Sequence, residues 1–281
     1  MPELRHHQTV QIAPGVRRMT APNPGYMTGE GTNTYLLGEQ QVAVIDPGPL
    51  MPDHAAAILG AIRAKGGELH RVFVTHTHID HSPATALLLR EVGAELIGAL
   101  PPDDLFQDTA FRPDLQCVHD QVFETAEYRL RAIATPGHVA NHFCFLDERN
   151  GLLMTGDHIM NGSTVVIIPP SGDMAAYMRS LALLLEYPLR QLAPGHGDVM
   201  DDPRQVIDGL LQHRLAREAK VVGALRGVGA AELDALVALV YDDVAVEVHP
   251  IAKLSLQAHL IKLEREGLAG RDDAVWRWLA R

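Results

Sequence analysis

Val72-Phe73-Val74-Thr75-His76-Thr77-His78-Ile79-Asp80-His81 is the stretch on which the reading of this chain turns. Four side chains able to bind a metal fall within six residues, directly after an apolar run. A strand that ends in such a turn delivers all four to one point. His76, His78 and Asp80 follow one another at intervals of two, so an extended or tightly turned backbone aims them together. Neutral imidazole and carboxylate suit Zn²⁺ and similar borderline ions. A polar loop that happens to be rich in His is the competing reading, since the chain has 15 His in 281 residues. Matching segments downstream weigh against it.

Three of them share one grammar: a short strand, a Gly or Pro turn, then a ligand-type residue. Thr135-Pro136-Gly137-His138 follows the alternating run 128–134, Thr155-Gly156-Asp157-His158 follows Leu152-Leu153-Met154, and Pro194-Gly195-His196-Gly197 follows Leu192-Ala193. Turn residues at those points let the chain bend sharply and place a side chain at a strand end. Taken together, His76, His78, Asp80, His81, His138, Asp157 and His196 exceed what one tetrahedral ion needs. They fit two ions roughly 3.5–4 Å apart, the spacing of two-metal hydrolytic sites.

With its HxHxDH signature at 76–81, the later His138, Asp157 and His196 in order, and Asp46-Pro47-Gly48 after an early strand, the chain resembles the metallo-β-lactamase superfamily over roughly residues 10–200. That resemblance implies an αβ/βα four-layer sandwich. It implies that His76, His78 and His138 hold one metal, that Asp80, His81 and His196 hold a second, and that Asp157 bridges them. Asp46 is then a carboxylate behind the ligands that orients an imidazole; a plain turn Asp before Pro-Gly is the alternative. Asn33-Thr34-Tyr35-Leu36-Leu37, Gly156-Asp157-His158, Ser163-Thr164-Val165-Val166 and a helical C-terminal segment resemble the lactamase-β-2-like branch, in which a small winged-helix-like module follows the catalytic domain. No Cys stands at a ligand position, which argues against antibiotic hydrolysis as the native role. Domains are therefore expected at 1–202, catalytic, and 203–281, helical and winged-helix-like.

The remaining sequence places these motifs. Asn33–Leu37 and Gln41–Ile45 read as a hairpin, 71–74 as a buried strand, 94–98 as the next strand, and 142–146 with 151–154 as a second hairpin. Helices are expected over 51–64, from Ser82 as N-cap and Pro83 as first helical residue to about Val92, over 174–185, and at 203–226, 230–241 and 250–267. Trp276 and Trp278 read as part of a short strand. Two cysteines without a framework, and a start lacking a signal-like apolar stretch, point to a reducing, cytoplasmic setting. No apolar run is long enough to span a membrane.

Charge bears on the partner. Residues 203–281 carry 11 Lys+Arg and 11 Asp+Glu, whereas the first 202 carry 13 and 24, so the whole net charge of −11 falls on the catalytic part. Nucleic-acid binders usually show a basic footprint. A lid that shapes the pocket is the favoured role for the C-terminal module, with Lys253, Lys262 and Arg265 as the only basic patch to weigh against it. His142 reads as a structural histidine, His158 as packing or as support behind the ligands, and Ser163, Thr164 and Tyr177 as pocket-lining candidates or as loop caps and helix surface. The expected activity is a binuclear hydrolase of a small-molecule thioester or ester, using a hydroxide between two zinc ions, with iron or manganese as alternative metals and Asp80 and Asp157 positioning the nucleophile. Single-strand endoribonuclease, implied for some members by the resemblance, is the alternative. β-Lactam hydrolysis and a redox or binding role rank below both.

Overall fold

The computed structural model describes residues 5–279. In chain order its elements are β1 (Val10–Ala13), β2 (Val16–Thr20), β3 (Asn33–Leu37), β4 (Gln41–Ile45), α1 (Pro52–Arg63), β5 (Glu68–Phe73), α2 (Thr85–Glu91), β6 (Glu95–Gly98), β7 (Leu115–Gln116), β8 (Val122–Glu124), β9 (Arg129–Ala134), β10 (Phe143–Asp147), β11 (Leu152–Gly156), α3 (Met174–Leu184), β12 (Gln191–Pro194), β13 (Met200–Asp201), α4 (Pro203–Val228), β14 (Ala230–Glu232), α5 (Leu233–Val240), α6 (His249–Arg265), β15 (Ala269–Asp272) and β16 (Val275–Trp278). No helix among the described residues is long and apolar enough to cross a membrane.

The chain divides into two compact units. The first takes the chain up to Thr135, Asn141–Thr164 and Pro188–Pro203; the second takes Pro136–Ala140, Val165–Tyr187 and the chain from Arg204. In the first, a seven-stranded sheet runs β1-β2-β3-β4-β5-β6-β7 and a six-stranded sheet runs β13-β12-β11-β10-β9-β8. Strands β4 to β7 are mutually parallel, as are β11 and β12, and the other pairs are antiparallel.

Period-two side-chain alternation explains why β3 and β4 read as continuous apolar runs. Tyr35, Leu37, Ala43 and Ile45 belong to one core with Phe73, Leu130, Phe145 and Met154 of both sheets. Leu36, Val42 and Val44 belong to another, under Ile58, Leu59 and Ile62 of α1 and Leu88 of α2. One sheet thus carries helices on its outer face and the second sheet on its inner face. The parallel strands place the ends of β4 and β5, and of β11 and β12, where loops can converge on a ligand, as is usual for open sheets with parallel strands.

The second unit packs α4, α5 and α6 around Val221, Leu225, Leu236, Val240, Leu256, Leu260 and Trp276. A three-stranded sheet in the order β14-β16-β15 closes it. Two helices begin later than the sequence predicts. The helix expected over 230–241 begins only at Leu233, because Gly229 at φ +74° ends α4 and Ala230–Glu232 pair with Val275–Arg277. In the first unit, α2 begins at Thr85 rather than with Ser82 as N-cap. Ser82 spends its hydroxyl on Asp108 Oδ2 at 2.9 Å, so it cannot cap the helix. Strands β1, β2, β7, β8 and β13 had no counterpart in the sequence reading; most are short or exposed along one face.

Phe145 is fully buried between the two sheets, with Phe73 5.2 Å away edge to face. Truncating it with Phe145→Ala leaves a cavity that close-packed neighbours fill only in part. Unfolding in denaturant should show a loss of about 3–5 kcal/mol.

Candidate metal centre

The loop after β5 is fixed before any ligand is considered. Asp46 follows β4 at φ +50°, a conformation that Asp tolerates better than most residues. Its Oδ1 accepts the Thr75 backbone N–H at 2.7 Å. Its Oδ2 accepts the Thr75 hydroxyl at 2.7 Å and stands 2.9 Å from His81 Nδ1. Thr75 Oγ1 in turn stands 3.0 Å from His76 Nδ1. One buried carboxylate therefore orients His81 directly and His76 through a hydroxyl. Of the two readings of Asp46, the geometry is that of the orienting carboxylate.

Two groups of side chains each bring one ligand atom within 4.8 Å of one another: His76, His78, His138 and Asp157, and Asp80, His81 and His196. Within the first unit, His81 Nε2 lies 3.3 Å from Asp80 Oδ2 and 3.3 Å from Asp157 Oδ1. His196 Nε2 lies at the same 3.3 Å from both oxygens. Asp157 thus faces the second group as well as belonging to the first. Two nitrogens and two oxygens converge at distances longer than the ~2.7–2.9 Å of a charge-assisted hydrogen bond, as donors around a cation do.

The far sides of two more imidazoles are also held. His196 Nδ1 stands 3.2 Å from the Gly31 carbonyl, and His138 Nδ1 stands 2.9 Å from the Val166 carbonyl. A proton fixed on Nδ1 leaves Nε2 as the coordinating atom. Asp80 Oδ2 accepts the Thr32 hydroxyl at 3.0 Å. The donor set is nitrogen and oxygen throughout, which fits zinc, iron or manganese.

The electrostatics have one sign. Burial pushes the His81 and His196 imidazoles down, but the surrounding carboxylates outweigh it. Asp80, Asp157 and Asp46 hold His81 well above its ordinary value, and Asp157 and Asp80 raise His196 to about 10. Burial raises Asp80 and Asp157, and the facing imidazoles overcome it, leaving both carboxyls well below their ordinary range. His76 is driven well below its ordinary value by burial, reinforced by His81 and His78. The carboxylates make this a place that stabilises positive charge, whether protons or metal cations carry it.

Glycine is required where the loops meet. A Cβ on Gly195 would sit 2.6 Å from Asp157 Oδ1 and 2.8 Å from His81 Cε1. A Cβ on Gly156, at φ +46°, would sit 2.5 Å from Thr75 Oγ1. The base of the 194–197 loop is tied to β3: Asn33 Nδ2 donates to the Pro194 and Gly197 carbonyls at 3.0 and 2.8 Å, and the Tyr35 hydroxyl donates to Pro194 at 2.6 Å.

The other candidates fall into place. His142 is buried, with Nδ1 2.9 Å from the Thr135 hydroxyl and Nε2 accepting the Asp157 backbone N–H at 3.2 Å. It supports the Asp157 loop and does not join either ligand group. His158 is buried, its ring 5.9 Å from that of His142. Ser163 and Thr164 are exposed, whereas Tyr177 is fully buried beneath the Arg214 guanidinium, 5.1 Å from its ring centre, and offers no surface to a substrate. Burial pushes the thiols of Cys117 and Cys144 up to about 12, so neither is a ready nucleophile. In the second unit, Lys253 pairs with Asp234, Lys262 with Glu218 at 2.7 Å and Glu266 at 2.8 Å, and Arg265 with Asp173. The basic patch weighed from the sequence is thus neutralised residue by residue. The supporting roles of Thr75, Thr32 and Asn33 were not read from the sequence. Their role depends on partners far along the chain; only the place of Thr75 directly before the His run hinted at it.

Comparison with known proteins agrees with this geometry. The metallo-beta-lactamase superfamily model matches residues 27–196, and a beta-lactamase associated winged helix domain matches 233–278. An atrochrysone carboxyl ACP thioesterase from Passalora fulva is 32% identical over 254 residues, covering 86% of this chain and 72% of its own. A beta-lactamase-like protein 2 homolog from Drosophila melanogaster is 29% identical, covering 91% and 92%. Among solved structures, a beta-lactamase domain protein from Burkholderia ambifaria superposes with a TM-score of 0.80 at 19% identity, covering 100% of this chain and 95% of its own, and has the same fold.

Two outcomes follow from the site. Thr75→Val removes the hydroxyl between Asp46 and His76 at nearly constant volume; metal affinity, read by competition with a chromophoric chelator, should fall about 10–100-fold. Because a protonated imidazole cannot coordinate, metal must displace protons from His81 and His196. Titrating metal into weakly buffered apoprotein at pH 7 should therefore release protons, and apparent affinity should climb as pH rises from 6.5 toward about 10, the raised value of His196.

Proposed function

The chain belongs to the metallo-β-lactamase superfamily and is a metal-dependent hydrolase; from that premise we propose that it acts on a small-molecule thioester or ester with two divalent cations bound, zinc foremost. The observation that carries the proposal is the pair of converging donor groups, His76, His78, His138 and Asp157 beside Asp80, His81 and His196. The thioesterase named among its relatives supports a thioester. The ion-paired, net-neutral C-terminal stretch favours a small substrate over RNA.

Cations bound there supply Lewis acidity, lowering the pKa of a water and neutralising negative charge as it develops. The residues do the rest. His76, His138, His81 and His196 are held in their coordinating orientation from behind. Asp80, steadied by Thr32, and Asp157, steadied by its own backbone N–H on His142, stay ionised; they accept hydrogen bonds from the attacking water and take up its proton. The water oxygen bonds to the acyl carbon, the C–S or C–O bond breaks, and the leaving thiolate or alkoxide receives the proton. No protein nucleophile is required.

Elemental analysis of reconstituted protein should find two metal ions per chain; one or none would sink the binuclear reading. A panel of acyl-pantetheine thioesters, aryl esters, a β-lactam and single-stranded RNA should show thioester or ester turnover, with Asp80→Ala lowering it by about two orders of magnitude or more while the fold persists. Efficient RNA cleavage that weakens steeply with salt would put the ribonuclease reading in its place.

A further inference from the structure

The loop that carries the ligands also carries an apolar side chain that the fold does not bury. Ile79 lies between the ligands His78 and Asp80 and is 55% exposed. Beside it runs the segment 105–108, stitched to the ligand loop by its backbone. Ile79 N–H donates to the Phe106 carbonyl at 3.0 Å, Asp108 N–H donates to the Thr77 carbonyl at 2.6 Å, and Gln107 pairs with His78. The Thr77 hydroxyl adds a bond to Gln107 Oε1 at 2.6 Å. So anchored, the segment holds Leu105 at 70% and Phe106 at 59% exposure. Phe106 sits at φ +67°, a left-handed conformation that costs a bulky residue energy and that persists where the surroundings enforce it.

Scattered exposed apolar residues need no explanation, but three on backbone-bonded segments, one of them between two ligands, form a patch with a place. A second exposed pair, Tyr26 and Met27, lies in the β2–β3 connection, whose base at Gly31 and Thr32 holds His196 and Asp80. We infer that Ile79, Leu105 and Phe106 form the subsite for an extended apolar acyl chain, so that the substrate is a thioester of a medium- or long-chain acid rather than of a short or charged one. The inference rests on the thioester reading above. Its occupant follows from position: anything covering Ile79 is one residue from His78 and from Asp80, so an acyl chain lying on the patch brings its carbonyl to the ligands. The net charge of −11 disfavours an anionic membrane or nucleic acid as that occupant.

The test compares acetyl-pantetheine with dodecanoyl-pantetheine as substrates of the metal-reconstituted full chain, and follows binding of the dodecyl thioether analogue by calorimetry. Wild type should favour the dodecanoyl thioester in kcat/KM by tenfold or more. Leu105→Ser with Phe106→Ser should cut that preference at least tenfold, with two metals still bound, and should abolish thioether binding. Phe106→Ala alone, a milder change, should cut it in the same direction. Equal kcat/KM for both chain lengths in wild type, or a preference untouched by the variants, overturns the subsite. A wild type that dimerises through the patch, shown by variants that turn monomeric in sedimentation while keeping their preference, also overturns it. Failure to hydrolyse any thioester, with the thioether still bound by wild type and lost in the variants, instead sinks the thioesterase reading and keeps the apolar subsite.

Discussion

The Asp46 carboxylate meets three partners, the Thr75 backbone N–H, the Thr75 hydroxyl and His81 Nδ1. It is 2% exposed, so each of these bonds is made where water cannot replace it. The same turn is bonded to the ligand loop through its backbone: Gly48 N–H donates to the His81 carbonyl at 2.8 Å, and Ala84 N–H returns the bond to Gly48 at 3.0 Å. The end of β4 thus serves as a template on which the end of β5 is set. Because β4 and β5 are parallel neighbours, the sheet brings these two ends side by side, and the imidazoles inherit their directions from it.

Charge completes what geometry starts. Asp46, Asp80 and Asp157 gather around His81 in a place nearly closed to solvent, and such a cluster is tolerable only with positive charge among it. Asp46 contributes from behind, where it touches no other ligand group, so the field at the centre exceeds what the donors alone supply. Support of this sort from carboxylates and carbonyls behind the ligands is how metal sites fix tautomer and ring orientation.

The ligands were legible because each follows a strand: 76–81 by the close spacing of its His and Asp residues, and His138, Asp157 and His196 by the Gly directly before each. β3, β4, β10 and β11 were legible as short, mostly apolar runs bounded by turn residues, and α1 and α3 as longer apolar-rich runs without an internal Pro. Ala230–Glu232 was not, since Ala and Glu favour helix and only pairing with Val275–Arg277 draws them into a strand. Ser82 looked like a cap until Asp108, 26 residues on, claimed its hydroxyl. Thr75 and Thr32 could not be found for the same reason: a hydroxyl's role is set by a partner the local sequence does not contain. Tyr177 failed as a pocket residue because its neighbours bury it, something that its position after the Asp157 loop could not disclose.

The ties around His196 span most of the first unit. His196 meets the Gly31 carbonyl across 165 residues of sequence, and Asn33 meets the Gly197 carbonyl across 164. Contacts between such distant segments close slowly, because the chain must bring its ends together before they contribute. During synthesis, the ligand-rich loop at 76–81 leaves the ribosome more than a hundred residues ahead of the histidine that completes its second group. Until then Asp80 and His81 are present without the third member of their group. Completion of the second group is thereby deferred to the moment when the outer segments of the first unit meet, and metal held by that group becomes a report that this unit has finished folding.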